Sequence, residues 1–323
     1  MKKKMILSVD TGIDDALAIA YAIGQQEMEL IGITVSYGMS IVENTYRNTK
    51  KLVELLGAQV PVYMGSAVPI VRPGRDYKLA GSKIHGQDGM ANQFGDYEPE
   101  DVAGAVVEES VDYIIDSIHT YGKDLVLVTT GPMTDLARVI TKEPGILDQI
   151  GAVYSMVGAL AAPGNVNPYK EANAGMDPEA VKLVLETEPP LTVIGLDVTR
   201  KTLMSFADLK RWQAIGTGRS DFLAKLVEYY LDAYRVMHPY LKGCALHDPL
   251  AVGAALHPEW ITTIPMHLTC VTEGEADGRT CENLEKCDDT DYHTCGALFV
   301  DSAAFEENFF ATVENVLAGQ AGA

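Results

Sequence analysis

The sequence predicts an α/β fold built on a mostly parallel, open sheet that is flanked by helices. Two observations predict it. Short, continuous apolar runs are bounded by turn residues, which is typical of strands buried on both faces of a parallel sheet. Amphipathic helical patterns alternate with these runs, and that alternation indicates repeated strand and helix units. In such sheets ligands bind beyond the carboxyl ends of the strands, so residues that follow each strand are the first candidates for a site.

The elements follow one another along the chain. Each predicted strand is an apolar run that stops at a polar or turn residue, and these runs are residues 5–9, 30–36, 60–64, 125–129, 152–157 and 191–196. Each predicted helix has apolar residues three or four positions apart, as one helix face requires; these are residues 15–23, 44–56, 107–121, 133–141, 178–186 and 250–256. Two helices follow an Asp-Pro pair, in which the aspartate is expected to be the N-cap; the pairs are Asp177-Pro178 and Asp248-Pro249.

The 323 residues are predicted to form one catalytic domain, residues 1–323. Hydrophobic residues make up 47% of the chain, which is enough for a large core. Neither an internal repeat nor a linker rich in Pro, Gly and Ser divides it. Residues 65–101 are rich in Gly, Pro and charge, and we expect a long functional loop there. Residues 272–294 are polar and are expected to form an insertion or a hairpin.

Acidic residues dominate the charge, with 45 against 25 basic ones and a formal net charge of −20. Because a protein that follows nucleic-acid phosphates needs a basic face, no polymeric nucleic acid is expected as a partner. The apolar stretch after residues 2–4 is too short for a signal peptide, and no apolar run is long enough for a membrane helix. Together with five cysteines, an odd number, this predicts a cytoplasmic protein with reduced thiols.

The strongest local signal is an aspartate-rich turn where the first strand ends, Val9-Asp10-Thr11-Gly12-Ile13-Asp14-Asp15-Ala16. Three carboxylates this close together repel one another unless positive charge compensates them. Asp14 and Asp15 can draw on the N-terminus of the following helix, whereas Asp10 precedes it. A hard divalent cation with oxygen ligands accounts for all three. The alternative is a helix cap beside a solvated Asp10.

Polar residues after the strand at 152–157 form a second signal. Asn165, Glu171 and Asn173 can accept and donate several hydrogen bonds, which suits a polyhydroxylated ligand such as a sugar. Thr130 follows the strand at 125–129, and its backbone carbonyl could bind a metal there. An ordinary loop and an ordinary turn are the alternatives.

Two histidines complete the set of candidates. His247 precedes the Asp248-Pro249 helix start, and capping explains the aspartate but not the histidine. His85 lies in the long loop near hinge glycines, which suggests a lid. A structural role remains open for both histidines.

Taken in order, these motifs resemble those of the inosine-uridine preferring nucleoside hydrolase family. The family turn Asp-x-Asp-Pro-Gly-x-Asp-Asp-Ala is similar to residues 8–16, and its His-Gly-x-x-Gly-Met loop is similar to residues 85–90. Its Thr-Gly turn looks like residues 130–131, and its Gly-Asn, Glu-x-Asn and Asp-Pro-Glu-Ala stretch looks like residues 164–180. Its final His-Asp-Pro looks like residues 247–249. The resemblance implies the same open-sheet fold and N-ribosyl hydrolysis, which gives ribose and a free base for purine or pyrimidine salvage.

The resemblance also implies a role for each motif residue. One Ca²⁺ would be bound by ribose hydroxyls, a water and four protein ligands, Asp10, Asp15, Asp248 and the Thr130 carbonyl. Asp10 would be the general base for that water, and His247 would help to protonate the departing base. The substrate would be held by Asp14, His85, Asn165, Glu171, Asn173, Tyr230 and Tyr234. The implied partners are an uncharged nucleoside and further copies of the chain, in a homodimer or homotetramer.

Four positions depart from the family pattern. Ser8 replaces a supporting aspartate, and Thr11 replaces a proline of the turn. Met39 stands where the family usually has an asparagine that reaches the ribose, and Ala172 replaces an aromatic residue beside the substrate. Because the last two changes remove contacts, a second hypothesis is a non-catalytic or altered-substrate relative that binds a nucleoside or a similar ribosyl compound.

Two further interpretations fit the sequence less well. A metal phosphohydrolase is disfavoured because no Lys or Arg accompanies the clustered aspartates in the motif. Cys281, Cys287 and Cys295 are six and eight residues apart, which misses the spacing of zinc-binding cysteines. Free thiols are therefore expected at these positions.

Overall fold

A computed structural model describes residues 2–74 and 77–320, so residues 75 and 76 of the predicted loop 65–101 lie outside the described part. The sheet strands come mostly from apolar runs, as predicted. The strands are β1 (Lys3–Val9), β2 (Met28–Val35), β3 (Val62–Met64), β4 (Leu125–Thr129), β5 (Ala152–Ser155), β6 (Leu191–Val193), β7 (Leu203–Met204), β8 (Cys244–Ala245), β9 (Ile261–Pro265), β10 (Leu268–Cys270), β11 (Thr280–Glu282) and β12 (Cys295–Val300).

Eight of these strands form one sheet in the order β3-β2-β1-β4-β5-β6-β12-β9. Every neighbouring pair is parallel except β12 and β9, which are antiparallel. The prediction of a mostly parallel open sheet is therefore confirmed, with an antiparallel strand at one edge. The short pairs β10 with β11 and β7 with β8 lie outside this sheet.

Helices cover both faces of the sheet. In β1, Leu7 and Val9 belong to one hydrophobic cluster while Ile6 belongs to another, as the alternation of side chains along a strand requires. The helices are α1 (Ile13–Gly24), α2 (Val42–Leu55), α3 (Ser82–His85), α4 (Glu109–Tyr121), α5 (Thr134–Lys142), α6 (Ala172–Met176), α7 (Pro178–Thr187), α8 (Leu196–Thr199), α9 (Phe206–Gln213), α10 (Gly218–Met237), α11 (His247–Leu256) and α12 (Ser302–Leu317). The first cluster includes residues of α1, α10, α11 and α12, and the second includes residues of α4, α5 and α7.

Several predicted boundaries were wrong for local reasons. The strand predicted over 191–196 ends at Val193, because Gly195 is the N-cap of the short helix α8. Asp177 caps α7 through its bond from the Ala180 N–H, as predicted. Asp248 does not cap α11, since that helix begins at His247 and the aspartate lies inside its first turn. The polar segment 272–294 contributes β11 to a hairpin with β10, in agreement with the sequence.

In the described part of the chain, every helix is too short or too polar to cross a membrane.

The carboxyl ends of β1 and β4 are tied together by the backbone. The N–H of Thr130 donates to the carbonyl of Ser8 at 2.8 Å, and the N–H of Met156 donates to the carbonyl of Thr129 at 2.8 Å. These bonds bring the segments that follow β1, β4 and β5 to one edge of the sheet, where the predicted site residues lie.

Candidate active site

A pocket of about 270 Å³ lies at this edge. All the site residues predicted from the sequence line it, together with Met39 and Ala172, the two departures from the family pattern. These predicted residues are Asp10, Asp14, Asp15, His85, Thr130, Asn165, Glu171, Asn173, Tyr230, Tyr234, His247 and Asp248. Residues 238 positions apart in the chain therefore meet in one cavity.

Three carboxylates form the densest group of charge in the pocket. Asp14, Asp15 and Asp248 each place an oxygen within 4.8 Å of the others. Asp15 is held on both sides, because Oδ2 accepts from the N–H of Gly12 at 2.9 Å and Oδ1 accepts from the hydroxyl of Thr130 at 2.7 Å. The start of α1 and the start of α11 thus present their acids to a common point.

Burial makes two of these carboxylates, Asp15 and Asp248, hard to ionise. Burial and the neighbouring charge of Asp14 raise the pKa of Asp15 to about 7, in spite of its hydrogen bonds. Burial also raises the pKa of Asp248 well above its ordinary value, and the charges of Asp14, Asp15 and Asp10 add to the rise. Across residues 2–74 and 77–320, no Lys or Arg forms an ion pair with these four aspartates. An all-oxygen, anionic and buried donor set of this kind fits a hard divalent cation.

Asp10 lies beside the three carboxylates and is fixed by backbone. Its Oδ2 accepts from the N–H of Met39 at 2.8 Å. Glycines are required around it, because an added Cβ at Gly38 would lie 2.0 Å from Oδ2 and one at Gly131 would lie 3.0 Å from Oδ1. Burial, followed by the charges of Asp15 and Asp14, raises the pKa of Asp10 well above its ordinary value. A carboxylate with a raised pKa in a buried pocket is suited to taking up a proton.

Asn173 links the end of β4 to the loop after β5. Its side-chain amide donates to the carbonyl of Thr130 at 2.7 Å and to that of Met156 at 2.9 Å. Both amide hydrogens are engaged in this way, so Oδ1 is the polar atom that the side chain can offer to a ligand. The Thr130 carbonyl, predicted as a metal ligand, lies in the pocket wall and already accepts this one hydrogen bond.

Glu171 is both a pocket residue and the N-cap of α6. Oε1 accepts from the N–H of Asn173 at 2.8 Å, and Oε2 accepts from those of Gly158 at 2.8 Å and Ala174 at 3.0 Å. Burial raises the pKa of Glu171, although these bonds oppose the rise. Asn165 is attached to the same turn, since its Oδ1 accepts from the N–H of Ala172 at 2.9 Å. The sequence analysis named both residues, which line the pocket, but did not reveal the capping role.

Aromatic hydroxyls and an imidazole form a chain on the opposite side of the pocket. The hydroxyl of Tyr230 donates to Oδ2 of Asp14 at 3.2 Å. Tyr234 shares a hydrogen bond of 2.8 Å with Nε2 of His247, whose Nδ1 shares one of 2.7 Å with the hydroxyl of Thr199. Burial lowers the pKa of His247 to about 4, so its imidazole is neutral near pH 7. The predicted helix face with Tyr230 and Tyr234 is present in α10.

His85 packs against the start of α1. Its Nδ1 accepts from the N–H of Ile13 at 3.0 Å, which leaves Nε2 to carry the ring proton. Its Nδ1 lies 3.9 Å from Oδ1 of Asp14, and its ring centroid lies 5.4 Å from that of Tyr230. Gly12 permits this approach, because an added Cβ would lie 2.8 Å from Nδ1. The imidazole therefore joins the carboxylate side of the pocket to the aromatic side.

Comparison with known proteins identifies the family of the chain. The family model described as "Inosine-uridine preferring nucleoside hydrolase" matches residues 5–307. The chain belongs to this family. The inosine-uridine preferring nucleoside hydrolase of Leishmania major is 36% identical over 266 residues, which cover 81% of this chain and 82% of the relative. The pyrimidine-specific ribonucleoside hydrolase RihA of Salmonella typhimurium strain LT2 is 30% identical, covering 85% of this chain and 86% of the relative.

A solved structure is also very similar. The purine-preferring ribonucleoside hydrolase from Gardnerella vaginalis superposes with a TM-score of 0.93 at 40% identity, covering 98% of this chain and 99% of the other. The chain is therefore an enzyme that hydrolyses the N-glycosidic bond of ribonucleosides.

Some pocket residues of this nucleoside hydrolase were missed by the sequence analysis. Met156, Met176 and Met237 line the pocket, and isolated methionines gave no signal that distinguishes them from core residues. His238 also lines it, with its ring centroid 5.0 Å from that of Tyr234. The four-residue spacing from Tyr230 through Tyr234 to His238 marks one helix face and could have identified this histidine.

Proposed function

We propose that this nucleoside hydrolase cleaves ribonucleosides to ribose and free base in a Ca²⁺-dependent reaction. The observation that supports it best is the cluster of Asp14, Asp15 and Asp248, whose buried carboxylates lie within 4.8 Å of one another without a Lys or Arg partner in the described part of the chain. Such a cluster favours a bound cation, and the polar residues around it suit a sugar. The proposed metal ligands are Asp10, Asp15, Asp248 and the Thr130 carbonyl. Asp14 lies close enough to add its negative charge to that of these ligands.

When bound, Ca²⁺ would supply positive charge that holds hydroxyl oxygens and increases the acidity of a water. The protein supplies the base. We propose that Asp10 takes the proton of the attacking water, because the N–H of Met39 and the flanking glycines fix its Oδ2 in the pocket. A water held at this carboxylate would start from a buried, pre-organised position.

The ribose hydroxyls are the groups that the polar wall would bind. Asn173 offers Oδ1, because its amide hydrogens are engaged by backbone carbonyls. Asn165, Glu171 and Asp14 complete the proposed set. Binding energy at these hydroxyls can favour distortion of the sugar towards the oxocarbenium-like state through which glycosidic bonds break.

The leaving base needs a proton or a hydrogen bond as the bond to the sugar breaks. His247 is neutral near pH 7, so it cannot act there as a stored imidazolium. We propose instead that Tyr234 gives its hydroxyl proton to the departing base and takes the Nε2 proton of neutral His247 through their 2.8 Å hydrogen bond, and that a proton from solvent then restores the imidazole. Tyr230 and His85 would line the base side of the site.

The direct test is base release from inosine, uridine and related nucleosides, measured with and without a chelator. We expect release that stops in chelator. Asp10→Asn should lower turnover by at least about a hundredfold, the range of general base catalysis, while Asp124→Asn, at an exposed aspartate, should leave it unchanged. No release from any nucleoside at high enzyme concentration would reject the activity, and an active Asp10→Asn variant would reject Asp10 as the base.

A second candidate function is supported by Met39, whose side chain lines the pocket where the family usually has asparagine. An added Cβ at Gly81 would lie 3.0 Å from the sulfur of Met39, so the thioether packs tightly against the segment that leads to His85. This apolar wall favours a relative that hydrolyses an altered substrate, a ribosyl compound similar to a nucleoside. Calorimetry combined with base release separates the two functions, because a common nucleoside that binds in a Ca²⁺-dependent way without product would indicate the altered substrate.

We also propose that residues 1–323 act as one catalytic domain in a homodimer or homotetramer, with an uncharged nucleoside as substrate and neither nucleic acid nor membrane as partner. A cytoplasmic location fits the five free cysteines. Light scattering of the purified protein tests the oligomer, since a monomer at micromolar concentration would contradict it.

A further inference from the structure

The β10–β11 hairpin contacts the loop that leads from β5 into the pocket. We call residues 158–164 the pocket loop. Thr280, at the start of β11, is fully buried, and its hydroxyl has both its partners in this loop. It accepts from the N–H of Ala159 at 3.0 Å and donates to the carbonyl of the same residue at 3.1 Å. The side chain of Thr280 thus makes the two hydrogen bonds to the backbone of Ala159 that a neighbouring strand would otherwise make.

The contact continues to a substrate-binding residue of the proposed function. Gly158 precedes Ala159 and has a φ of +75°, and its N–H donates to Oε2 of Glu171 at 2.8 Å. An added Cβ at Gly158 would lie 2.4 Å from the hydroxyl oxygen of Thr280. The hydroxyl of Thr280 therefore contacts the pocket loop, and the pocket loop in turn contacts the carboxylate of Glu171.

Other side chains hold the rest of the pocket loop. Arg279, next to Thr280, donates to the carbonyls of Leu160 and Ala162. From the other side, Asp197 accepts from the N–H groups of residues 160, 161 and 162, each at 2.7 Å. The hairpin also contacts the chain between the pocket loop and Glu171, because Asp277, which lies between β10 and β11, accepts from Nζ of Lys170 at 2.9 Å.

We propose that Thr280 is a positioning residue for sugar binding, and that the β10–β11 hairpin serves as a brace for the pocket loop. This rests on the proposed function, in which Glu171 and Asn165 hold ribose hydroxyls. Thr280 does not line the pocket and acts through Gly158 and Ala159. The hairpin therefore influences the affinity for the sugar. It should not influence Ca²⁺ binding, because the carboxylate cluster lies on other elements, at the end of β1 and in α1 and α11.

Three variants test this. Thr280→Val keeps the shape of the side chain and removes its hydroxyl. Thr280→Ser keeps the hydroxyl and removes only the methyl group. Thr269→Val is the matched control, because Thr269 lies on the partner strand and donates to Glu186, away from the pocket. Each variant is assayed for inosine hydrolysis, for inhibition by D-ribose and for Ca²⁺ affinity.

We expect Thr280→Val to raise both KM for inosine and the inhibition constant of D-ribose about tenfold, the effect of losing one to two hydrogen bonds. Its Ca²⁺ affinity should stay within twofold of the wild type. Thr280→Ser and Thr269→Val should stay within twofold in all three measurements. Equal KM and ribose inhibition in Thr280→Val and the wild type would overturn the proposal, as would an equal loss in Thr269→Val.

Hydrogen exchange at the pocket loop separates this inference from the activity. We expect the amides of residues 158–162 to exchange at least about fivefold faster in Thr280→Val than in the wild type or Thr269→Val. If the wild type releases no base, the proposed function fails while exchange still tests the brace. Unchanged exchange at these amides would overturn the brace even in an active enzyme.

Discussion

Asp88 organises the loop that follows His85, and replacing it should loosen that loop. The Asp88 side chain is 2% exposed. Its Oδ1 accepts from the N–H groups of Met90 at 2.7 Å and Asn92 at 2.8 Å, and its Oδ2 accepts from those of Phe94 at 2.7 Å and Gly95 at 2.9 Å. One carboxylate thus satisfies four backbone donors, which no neutral side chain of the same shape can do.

Asp88→Asn converts one of the two oxygens to an NH₂ group, which cannot accept. Two of the four backbone donors then lose their partner. Hydrogen bonds to a charged group contribute about 1.5–3 kcal/mol each, so the loop should lose roughly 3 kcal/mol of local stability. That loss corresponds to about a 150-fold increase in the fraction of molecules in which the loop is open.

Hydrogen exchange over residues 86–95 measures this change directly. We expect exchange about a hundredfold faster in Asp88→Asn, with no change in Asp96→Asn, which alters an exposed aspartate of the same loop. Because His85 lies three residues before Asp88 and holds the start of α1, kcat/KM should also fall. Exchange rates equal to those of the wild type would refute the argument that this carboxylate organises the loop.

Two further predictions follow from the hydrogen-bond networks. Tyr234→Phe breaks the link to His247 and should lower kcat for inosine about tenfold to a hundredfold, while p-nitrophenyl riboside, whose leaving group needs no proton, should react normally; equal losses on both substrates would contradict the relay. Burial alone would raise the pKa of Glu188, but hydrogen bonds from Lys286 and His267 hold it below its ordinary value of 4.5. This carboxylate therefore stabilises the fold above its ordinary pKa, and the contribution is lost as pH falls through its lower, folded-state pKa. Glu188→Gln should melt at a lower temperature than the wild type at pH 7, and the difference should close below about pH 4; a difference that persists or grows in acid would be inconsistent with this linkage.

The fold was predictable where burial decides structure. The strand β4 and the stretch of β1 after its two lysines are mostly apolar runs buried on both faces, and their pattern leaves few alternatives. The antiparallel strand β9 was not predicted, because it lies at the sheet edge, none of its five residues is fully buried, and two of them, Thr262 and Thr263, are polar. Helices α9, α10 and α12 were not assigned from their periodicity either, although the pair Tyr230 and Tyr234 was placed on a helix.

The candidate site was predictable because its residues cluster in short motifs at strand ends. Spacing gave the acidic turn and the His-Asp-Pro segment, and the pocket contains both. Spacing could not give long-range geometry. The four-donor cage of Asp88 and the contact of Thr280 with Ala159, which is 121 positions away in the chain, depend on how loops pack. Likewise, the geometric trio of carboxylates includes Asp14, which the acidic turn alone placed at the cation and the family resemblance assigned to the sugar.

The central claim is that the buried carboxylates bind a divalent cation on which nucleoside hydrolysis depends. The most direct measurement is a titration of Ca²⁺ into chelator-treated protein, with inosine hydrolysis and bound Ca²⁺ followed in the same samples. The account predicts an inactive starting protein whose activity rises in proportion to bound metal and saturates at one Ca²⁺ per chain, and it predicts neither binding nor recovery in Asp15→Asn. Full hydrolysis by the metal-free protein, or Ca²⁺ binding that Asp15→Asn leaves unchanged, would contradict it.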